Sequence, residues 1–222
     1  GFREPPMKIK AAAGILVAFC SLALAATAPV RAETINIVGF GDSLMAGYEL
    51  APSDAFPVQL EAALREKGHD VSIANAGVSG DTSTGGLARL DWSVPDDTHA
   101  VLLELGANDA LRGISPQETQ RNIDEMITRL KDRGIAVLLV GILAPPNMGD
   151  DYGDKFNRIY ADLAAQHDVP LYPFFLDGVA LQPELDIGDG MHPNAKGVAV
   201  MVSRFLPFAE DLISNMPVKN NQ

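Results

Sequence analysis

Two kinds of hydrophobic pattern alternate along this chain. Short runs in which nearly every residue is apolar have the length of β-strands, whereas longer segments with apolar residues every three or four positions are typical of amphipathic helices. The predicted strands comprise residues 35–40, 71–74, 100–105, 135–142 and 169–172. The predicted helices comprise residues 55–67, 82–90, 115–134, about 152–167, and 193 onwards. Strands alternating with helices predict one α/β domain, with a parallel sheet, right-handed crossovers and helices on both faces.

Several residues sharpen these predictions. Ser115 and Pro116 are an N-cap and a first-turn proline, and Gly134 ends the same helix. The strand at 100–105 is apolar at nearly every position, as expected of a strand covered on both faces. Pro207 is expected to kink or split the last helix, because proline lacks the N–H that a helix needs. The side chain of Trp92 is expected in the core rather than in the wall of a pocket.

The first 32 residues have the pattern of a secretory signal peptide rather than of a folded element. A positive start at Met7-Lys8-Ile9-Lys10 is followed by an apolar stretch over 11–28 and a small-x-small cleavage site at Val30-Arg31-Ala32. Residues 1–32 are therefore predicted to be an N-terminal extension and a cleaved signal peptide. A retained membrane anchor is the second interpretation, since the stretch is alanine-rich and borderline in length.

The remaining chain is strongly acidic and has no thiol. Removing residues 1–32 takes away four of 17 basic and one of 29 acidic residues, which leaves 190 residues with a formal net charge of −15. Such a charge disfavours nucleic acid and anionic membrane surfaces as partners. Cys20, the single cysteine of the 222 residues, lies within the predicted signal peptide. Disulfides, a cysteine nucleophile and thiolate metal sites are therefore not expected.

Glycine-rich polar clusters follow the first three predicted strands. They are Gly39-Phe40-Gly41-Asp42-Ser43-Leu44, residues 75–82, and Gly106-Ala107-Asn108-Asp109. The first cluster taken alone is typical of a turn, because glycine, aspartate and serine are common turn residues. In a parallel sheet, however, all three clusters lie at the same edge, where open α/β folds bind their ligands.

A fourth cluster near the C-terminus supplies the partners that a serine nucleophile needs. Asp189 precedes His192 by three residues, and a serine, a histidine base and an orienting aspartate make an activated hydroxyl. Other acidic residues and histidines are predicted to have no catalytic or metal-binding role. The loop-bracing acids are Asp42, Asp81 and Asp109, and the surface histidines are His69, His99 and His167.

In their order and spacing, these motifs resemble the GDSL/SGNH hydrolase family, and in particular its bacterial periplasmic arylesterase, acyl-CoA thioesterase I and lysophospholipase L1 subgroup. The resemblance spans essentially residues 35–215. The matching segments include Gly41-Asp42-Ser43-Leu44, Ser79-Gly80-Asp81-Thr82-Ser83, Gly86-Leu87-Ala88-Arg89-Leu90, Glu104-Leu105-Gly106, Asn108-Asp109, Asp168-Val169-Pro170-Leu171, Pro173-Phe174-Phe175 and His192-Pro193-Asn194.

The resemblance implies a three-layer α/β/α, flavodoxin-like fold with a five-stranded parallel sheet of order 2-1-3-4-5, formed by residues 33–222 as a single hydrolase domain. It implies that Ser43 is the nucleophile, His192 the base and Asp189 its orienting partner. The implied oxyanion hole consists of the backbone N–H groups of Ser43 and Gly80 and the side-chain amide of Asn108. The sequence around Ser43 lacks the G-x-S-x-G elbow of the ordinary α/β-hydrolases.

The implied function is a periplasmic or secreted serine esterase that hydrolyses short-chain carboxylic esters, including aryl esters, through an acyl-enzyme. It implies no cofactor, a small-molecule ester or thioester substrate, and no stable membrane insertion after signal cleavage. A thioesterase or lysophospholipase with the same triad is the nearest alternative, and a carbohydrate acetylesterase is the third. A binding module that has lost catalysis is disfavoured, because the serine, histidine and aspartate are all present.

The loop after the fourth predicted strand departs most from the relatives. Ala144 and Pro145 are the expected substrate-binding residues of this loop, in which Ala144 replaces a larger apolar side chain. The following turn, with Asp150 and Asp151, is acidic. This composition favours short acyl esters over long acyl chains and anionic coenzyme A leaving groups.

Overall fold

The sheet contains five parallel strands in the order β2-β1-β3-β4-β5. A computed structural model describes residues 1–2 and 33–216, and the predicted signal peptide lies outside the described residues. The strands are β1 (Ile35–Gly41), β2 (Val71–Gly77), β3 (Ala100–Glu104), β4 (Ala136–Val140) and β5 (Leu171–Tyr172). The predicted strand order is confirmed. A crossover connection links each strand to the next, because parallel neighbours cannot be joined by a tight hairpin.

Eight α-helices connect or flank the strands in the described part of the chain. They are α1 (Ser43–Ala46), α2 (Phe56–Glu66), α3 (Ser83–Ser93), α4 (Ala107–Leu111), α5 (Pro116–Asp132), α6 (Asp150–Asn157), α7 (Ile159–His167) and α8 (Ala195–Asn215). Helix α2 packs against α8, and α5 packs against both α3 and α7. The two groups cover the two faces of the sheet, which gives the predicted three layers. Among the described residues, no helix combines the length and the apolar character needed to cross a membrane.

The core lies on both faces of the three inner strands, β1, β3 and β4. Every residue of β3 is buried, as its continuous apolar run predicted. A cluster of aromatic rings lies between α2 and α8, where Phe56 meets Phe175 edge-on at 4.7 Å and Phe205 at 5.1 Å between ring centroids. Such edge-to-face contacts add stabilisation beyond that from the buried area. Packing on both faces holds the sheet in place, and the sheet in turn supports the segments at its carboxyl edge.

Several local predictions differ from the structure, and strands β4 and β5 are each two or three residues shorter than predicted. Strand β2 extends three residues further than predicted, because it pairs with β1 as far as Gly41 and Gly77. The helix expected over 152–167 is divided into α6 and α7 at Arg158. Helix α8 continues through Pro207 without splitting. Its apolar face is buried on both sides of the proline, and this packing offsets the missing hydrogen bond.

The prediction for Trp92 is wrong. Its side chain is 78% exposed, whereas Arg89 and Leu90 of the same helix are buried. Trp92 follows Leu90 by two positions, about 200° further around α3, so it lies on the opposite face. An aromatic side chain can therefore end a helix at the surface without contributing to the core or to a pocket.

Candidate active site

Ser43 lies where β1 ends and α1 begins. Asp42 is the N-cap of α1, and its Oδ1 accepts a hydrogen bond of 3.0 Å from the Leu44 N–H. The register of the sheet pairs Gly41 with Gly77 of β2 and Phe40 with Leu103 of β3. The loops after the first three strands consequently converge around Ser43, as the sequence predicted.

His192 reaches Ser43 from the loop before α8, and 149 residues separate the two in sequence. Its Nε2 lies 2.9 Å from Ser43 Oγ, and its Nδ1 lies 2.6 Å from Asp189 Oδ2. The loop is held by a bridge between Asp186 and Pro193, and by Asn194, whose side chain donates to the carbonyls of Glu184 and Asp186. Serine, histidine and aspartate therefore form one hydrogen-bonded series.

Asp189 accepts more hydrogen bonds than the histidine alone supplies. Its Oδ1 accepts from the backbone N–H groups of Met191 and His192, each at 2.9 Å. Desolvation alone would raise the pKa of Asp189, but the hydrogen bonds from His192 and Met191 outweigh it and lower this pKa from 3.8 to about 2. The carboxylate therefore stays ionised at neutral pH.

An aromatic ring covers one side of the histidine. The ring centroids of Tyr48 and His192 are 4.5 Å apart, with the planes inclined by 39°. Tyr48 belongs to the turn after α1, and its side chain remains 39% exposed. This contact restricts the imidazole ring on one of the two faces, both of which its in-plane hydrogen bonds leave free.

Gly80 lies in the loop after β2, and Asn108 is the second residue of α4, which follows β3. Gly80 has φ of +81°, which glycine adopts without strain, and its N–H meets no acceptor among the described residues. The Asn108 side chain donates to the Asp81 carbonyl at 2.9 Å and to Asp42 Oδ2 at 3.3 Å. These bonds fix which end of the amide is the donor. An oxyanion bound here would either share an amide N–H of Asn108 with one of these acceptors or take the place of that acceptor.

Arg89, which the sequence analysis did not single out for a role, ties the loops together. Its guanidinium donates to Asp81 at 2.7 Å and to the carbonyls of Ala76 and Gly41 at 2.9 Å each. It also lies 4.0 Å above the ring centroid of Phe40. An arginine 8% exposed needs such partners, because an unpaired buried charge is costly. One side chain thus joins the ends of β1 and β2 to the Gly80 loop.

Asp109 braces the site from behind, as predicted. Its carboxylate accepts from the Ser83 N–H at 2.8 Å, from the Ser83 hydroxyl, and from the Thr119 hydroxyl at 2.9 Å. These bonds link the N-terminus of α3 to α4 and α5. The three histidines predicted to be surface residues are instead half-buried: His69, His99 and His167 are bonded to Glu210, Asn36 and Asp124 respectively.

A second carboxyl group, from Glu104, lies against Asp42. Both side chains are completely buried, and Glu104 Oε2 accepts a hydrogen bond of 3.1 Å from the Asp42 N–H. Burial raises the pKa of Asp42 from 3.8 to about 6, although the bond from Leu44 opposes the rise. Burial and the neighbouring Asp42 charge raise the pKa of Glu104 well above its ordinary value.

The loop after β4 holds Ala144 and Pro145 at the same edge of the sheet. Ala144 is only 9% exposed, and its N–H donates to the Asn157 side chain at 2.8 Å. Pro145 is half-buried. Leu143, which the sequence analysis passed over, is 45% exposed and is the open apolar side chain of this loop.

The hydrogen-bonded series of serine, histidine and aspartate, held at the carboxyl edge of a parallel sheet, is the arrangement that serine hydrolases use. A model of the GDSL-like Lipase/Acylhydrolase family matches residues 40–200, and the chain belongs to this family. The chain is 43% identical to an arylesterase of Vibrio mimicus over 182 residues, which cover 80% of this chain and 87% of the relative.

Two further comparisons agree. Thioesterase 1/protease 1/lysophospholipase L1 of Escherichia coli (strain K12) is 41% identical over 177 residues, with 79% of this chain and 83% of the relative covered. The crystal structure of AlinE4, an SGNH-hydrolase family esterase, has a TM-score of 0.69 and 43% identity, covering 84% of this chain and 98% of that one. This chain is a carboxylic ester hydrolase.

Proposed function

We propose that this esterase hydrolyses short-chain carboxylic esters, including aryl esters, through an acyl-enzyme formed on Ser43. The main support is the 2.9 Å contact between Ser43 Oγ and His192 Nε2, because a serine hydroxyl is a weak nucleophile until a base takes its proton. The carboxylate of Asp189 bonds the other imidazole nitrogen at 2.6 Å and so favours the tautomer with a free Nε2.

The reaction then has two steps, acylation of Ser43 and hydrolysis of the acyl-enzyme. Ser43 Oγ attacks the ester carbonyl while its proton moves to His192 Nε2, and Asp189 stabilises the resulting imidazolium. The tetrahedral intermediate expels the alcohol, which takes the proton from His192, and the acyl group remains on Ser43. Water next gives a proton to His192 and attacks the acyl carbon. Collapse releases the acid and returns the proton to the serine oxygen.

Trapping the covalent intermediate tests this proposal directly. A p-nitrophenyl alkylphosphonate should phosphonylate one hydroxyl per chain, release one equivalent of p-nitrophenol and abolish ester hydrolysis. Peptide mass spectrometry should place the added phosphonyl group on Ser43. Inactivation with the label on a different residue, or turnover that survives complete labelling, would contradict the proposed nucleophile.

The proposed oxyanion hole consists of the backbone N–H groups of Ser43 and Gly80 and the amide of Asn108. All three donors lie just beyond the carboxyl ends of β1, β2 and β3, at one edge of the sheet. They act on negative charge that develops on the carbonyl oxygen only as the tetrahedral intermediate forms, so they lower the barrier rather than merely bind the ester.

Replacing Asn108 by alanine should therefore lower kcat more than it raises KM. The expected loss in kcat is about 10²–10³-fold, as for other single oxyanion donors. Steady-state kinetics with p-nitrophenyl acetate separate the two constants. Asn122→Ala is the matched control, since Asn122 donates to Ser83 and Thr84 behind the site. An effect confined to KM would mean that Asn108 only binds substrate.

The preference for short acyl chains is proposed from the loop after β4. The Ala144 methyl is small, Pro145 and Pro146 stiffen the loop, and Asp150 and Asp151 open α6 beyond it. Charged side chains at that point would meet the end of a long alkyl chain and repel an anionic leaving group. Leu143, with its exposed side chain, is the apolar contact we propose for the first few acyl carbons.

Leu143→Ala should flatten the dependence of rate on acyl length. In the unaltered enzyme, each methylene buried in the groove should raise kcat/KM about fourfold, which corresponds to about 0.8 kcal/mol. The variant should match it on the acetate and fall progressively behind on the butyrate and hexanoate. The measurement is kcat/KM for p-nitrophenyl esters from acetate to decanoate. Val58→Ala, which truncates an exposed apolar side chain of α2, is the control. Profiles that differ only by a constant factor would place the acyl group elsewhere.

For the location of the enzyme, we propose the periplasm or secretion, with residues 33–222 as the mature single domain. The support is the pattern of charge, apolar length and small residues over residues 1–32. A strongly acidic surface and a site that needs no thiol are compatible with an oxidising compartment.

A further inference from the structure

Glu104 is a buried carboxyl group for which the proposed reaction has no use so far. It is the last residue of β3, between β1 and β4, and four positions before Asn108. Its side chain is completely buried, and no cationic side chain in the described part of the chain forms an ion pair with it. An isolated buried carboxylate is costly, so it must be neutral or compensated.

The contacts of Glu104 lead to Ser43 through Asp42. Glu104 Oε2 accepts from the Asp42 N–H, whereas its Oε1 has no hydrogen-bond partner among the described residues. A side chain at Gly41 would collide with Oε2, so glycine at that position leaves the room that Glu104 fills. The carboxyl group is therefore built into the turn that carries the nucleophile.

The hydrogen bonds indicate which of the two carboxyls carries the proton. Asp42 accepts from the Leu44 N–H with one oxygen and from the Asn108 amide with the other. Glu104 accepts only one bond. Two adjacent buried carboxyls do not both ionise, and donors favour the charged form of the group they contact. Asp42 is thus the carboxylate and Glu104 the acid.

We propose that Glu104 is a positioning residue for ester hydrolysis: as an uncharged carboxylic acid it accepts the Asp42 backbone N–H and so holds the turn that carries the Asp42 carboxylate, and through Asp42 it orients the Asn108 amide beside Ser43. The inference rests on the proposed oxyanion role of Asn108. The raised pKa of Glu104, caused by burial and by the Asp42 charge, agrees with the neutral form.

Other ionisable groups lie near Asp42 and Glu104, and their contacts leave the proton assigned to Glu104. Tyr160 of α7 approaches from one side, but its hydroxyl donates to the Leu105 carbonyl at 2.8 Å. Asp81 and His192 act on Asp42 from their own loops, with opposite effects on its pKa. A negative charge on Glu104 would add to those of Asp42 and Asp81 and would repel the developing oxyanion.

Two substitutions at Glu104 separate its polar role from its bulk. Glu104→Met keeps the length of the side chain but removes its polar atoms, and it should lower kcat about 10–100-fold with little change in KM. Glu104→Gln cannot ionise, yet its side-chain oxygen can still accept from the Asp42 N–H. It should restore most of the lost kcat. Glu61→Met is the control, because Glu61 of α2 also accepts a backbone N–H, from Ile73 in the middle of β2.

The coupling to Asn108 is tested by a double-mutant cycle. If Glu104 acts through Asn108, Glu104→Met should reduce kcat by less than threefold in the Asn108→Ala background. Full additivity of the two effects, or a Glu104→Gln enzyme as slow as Glu104→Met, would overturn the positioning role. An unchanged kcat in Asn108→Ala alone would instead overturn the oxyanion assignment on which the inference rests.

The protonation state has its own measurement, which needs no destabilising variant. Carbon-13 NMR of the unsubstituted protein with labelled glutamate side chains should show one carboxyl carbon with the shift of a protonated acid at neutral pH. That signal should disappear in Glu104→Gln. If every glutamate carbon has the shift of an ionised carboxylate at pH 7, the proposal is wrong even where the kinetic results agree with it.

Discussion

Replacing Ser43 by alanine is expected to lower kcat for ester hydrolysis about 10⁶-fold while leaving the protein folded. Losing the nucleophile of such a triad removes the covalent route, and only binding and the oxyanion donors remain to accelerate attack by water. The fold should persist because the Ser43 hydroxyl bonds to His192 and to no other described residue, whereas the cap of α1 is formed by Asp42. The measurement is kcat with p-nitrophenyl acetate, together with the urea midpoint of unfolding.

The matched control is Ser203→Ala, which removes an exposed hydroxyl from α8. It should hydrolyse esters at the rate of the unaltered enzyme. Phosphonate labelling should fail in Ser43→Ala and proceed in Ser203→Ala. A Ser43→Ala protein that retains even one per cent of kcat would show that another group attacks the ester.

Asp189→Asn is expected to lower kcat about 10⁴-fold, the second largest effect. An asparagine in this position can donate to His192 Nδ1, which stabilises the tautomer that carries its hydrogen on Nε2 and cannot accept the serine proton. The structure gives the relevant geometry, with 2.6 Å between Asp189 Oδ2 and His192 Nδ1. KM should change little, because the substitution leaves the groove and the oxyanion donors in place.

Asp186→Asn is the control for this substitution. Asp186 belongs to the same loop and accepts a bond from the Gly188 N–H, but its side chain forms no hydrogen bond with the imidazole. The two variants therefore lose the same charge three residues apart. Equal activity of Asp189→Asn and Asp186→Asn would remove Asp189 from the catalytic series.

Acid unfolding gives a second, independent check on Asp189. Its pKa of about 2 in the folded protein lies below the ordinary value of 3.8, because the bonds from His192 and Met191 outweigh desolvation. The ionised group therefore contributes stability above about pH 4, and this contribution is lost as the pH falls towards the folded value. Asp189→Asn should show a shallower loss of unfolding free energy over that interval than Asp186→Asn. Identical slopes would mean that the hydrogen bonds to Asp189 do not persist in solution.

The sequence alone predicted most of the scaffold, because buried faces repeat with the period of the element. The strand over Ala100–Glu104 is apolar at nearly every position, and the cap at Ser115 forms as expected. The errors lie where packing over longer distances decides. Pro207 remains inside α8 because apolar contacts on both sides hold the helix against α2, and Trp92 is exposed because α3 turns its other face to the core.

The candidate site divides in the same way. Polar clusters after parallel strands predicted that Ser43, Gly80 and Asn108 converge, since all parallel strands end at one edge. The spacing of Asp189 and His192 predicted a carboxylate within reach of an imidazole. Nothing in the sequence indicated, however, that Tyr48 covers the imidazole or that Arg89 joins the ends of β1 and β2 to the Gly80 loop, because His192 and Gly41 lie far from these residues in the chain.

What the sequence by itself determined is the order of the elements, the edge of the sheet that carries the chemistry, and the residue types available there. These follow from local rules of periodicity, capping and chain direction. The tertiary structure decided which polar groups lose their water and what replaces it. In the sequence, Glu104 looks like any acidic residue at the end of a strand. Only its burial beside Asp42 makes it a neutral group. The charge of a side chain depends on its surroundings, and those are assembled from residues far apart in the chain.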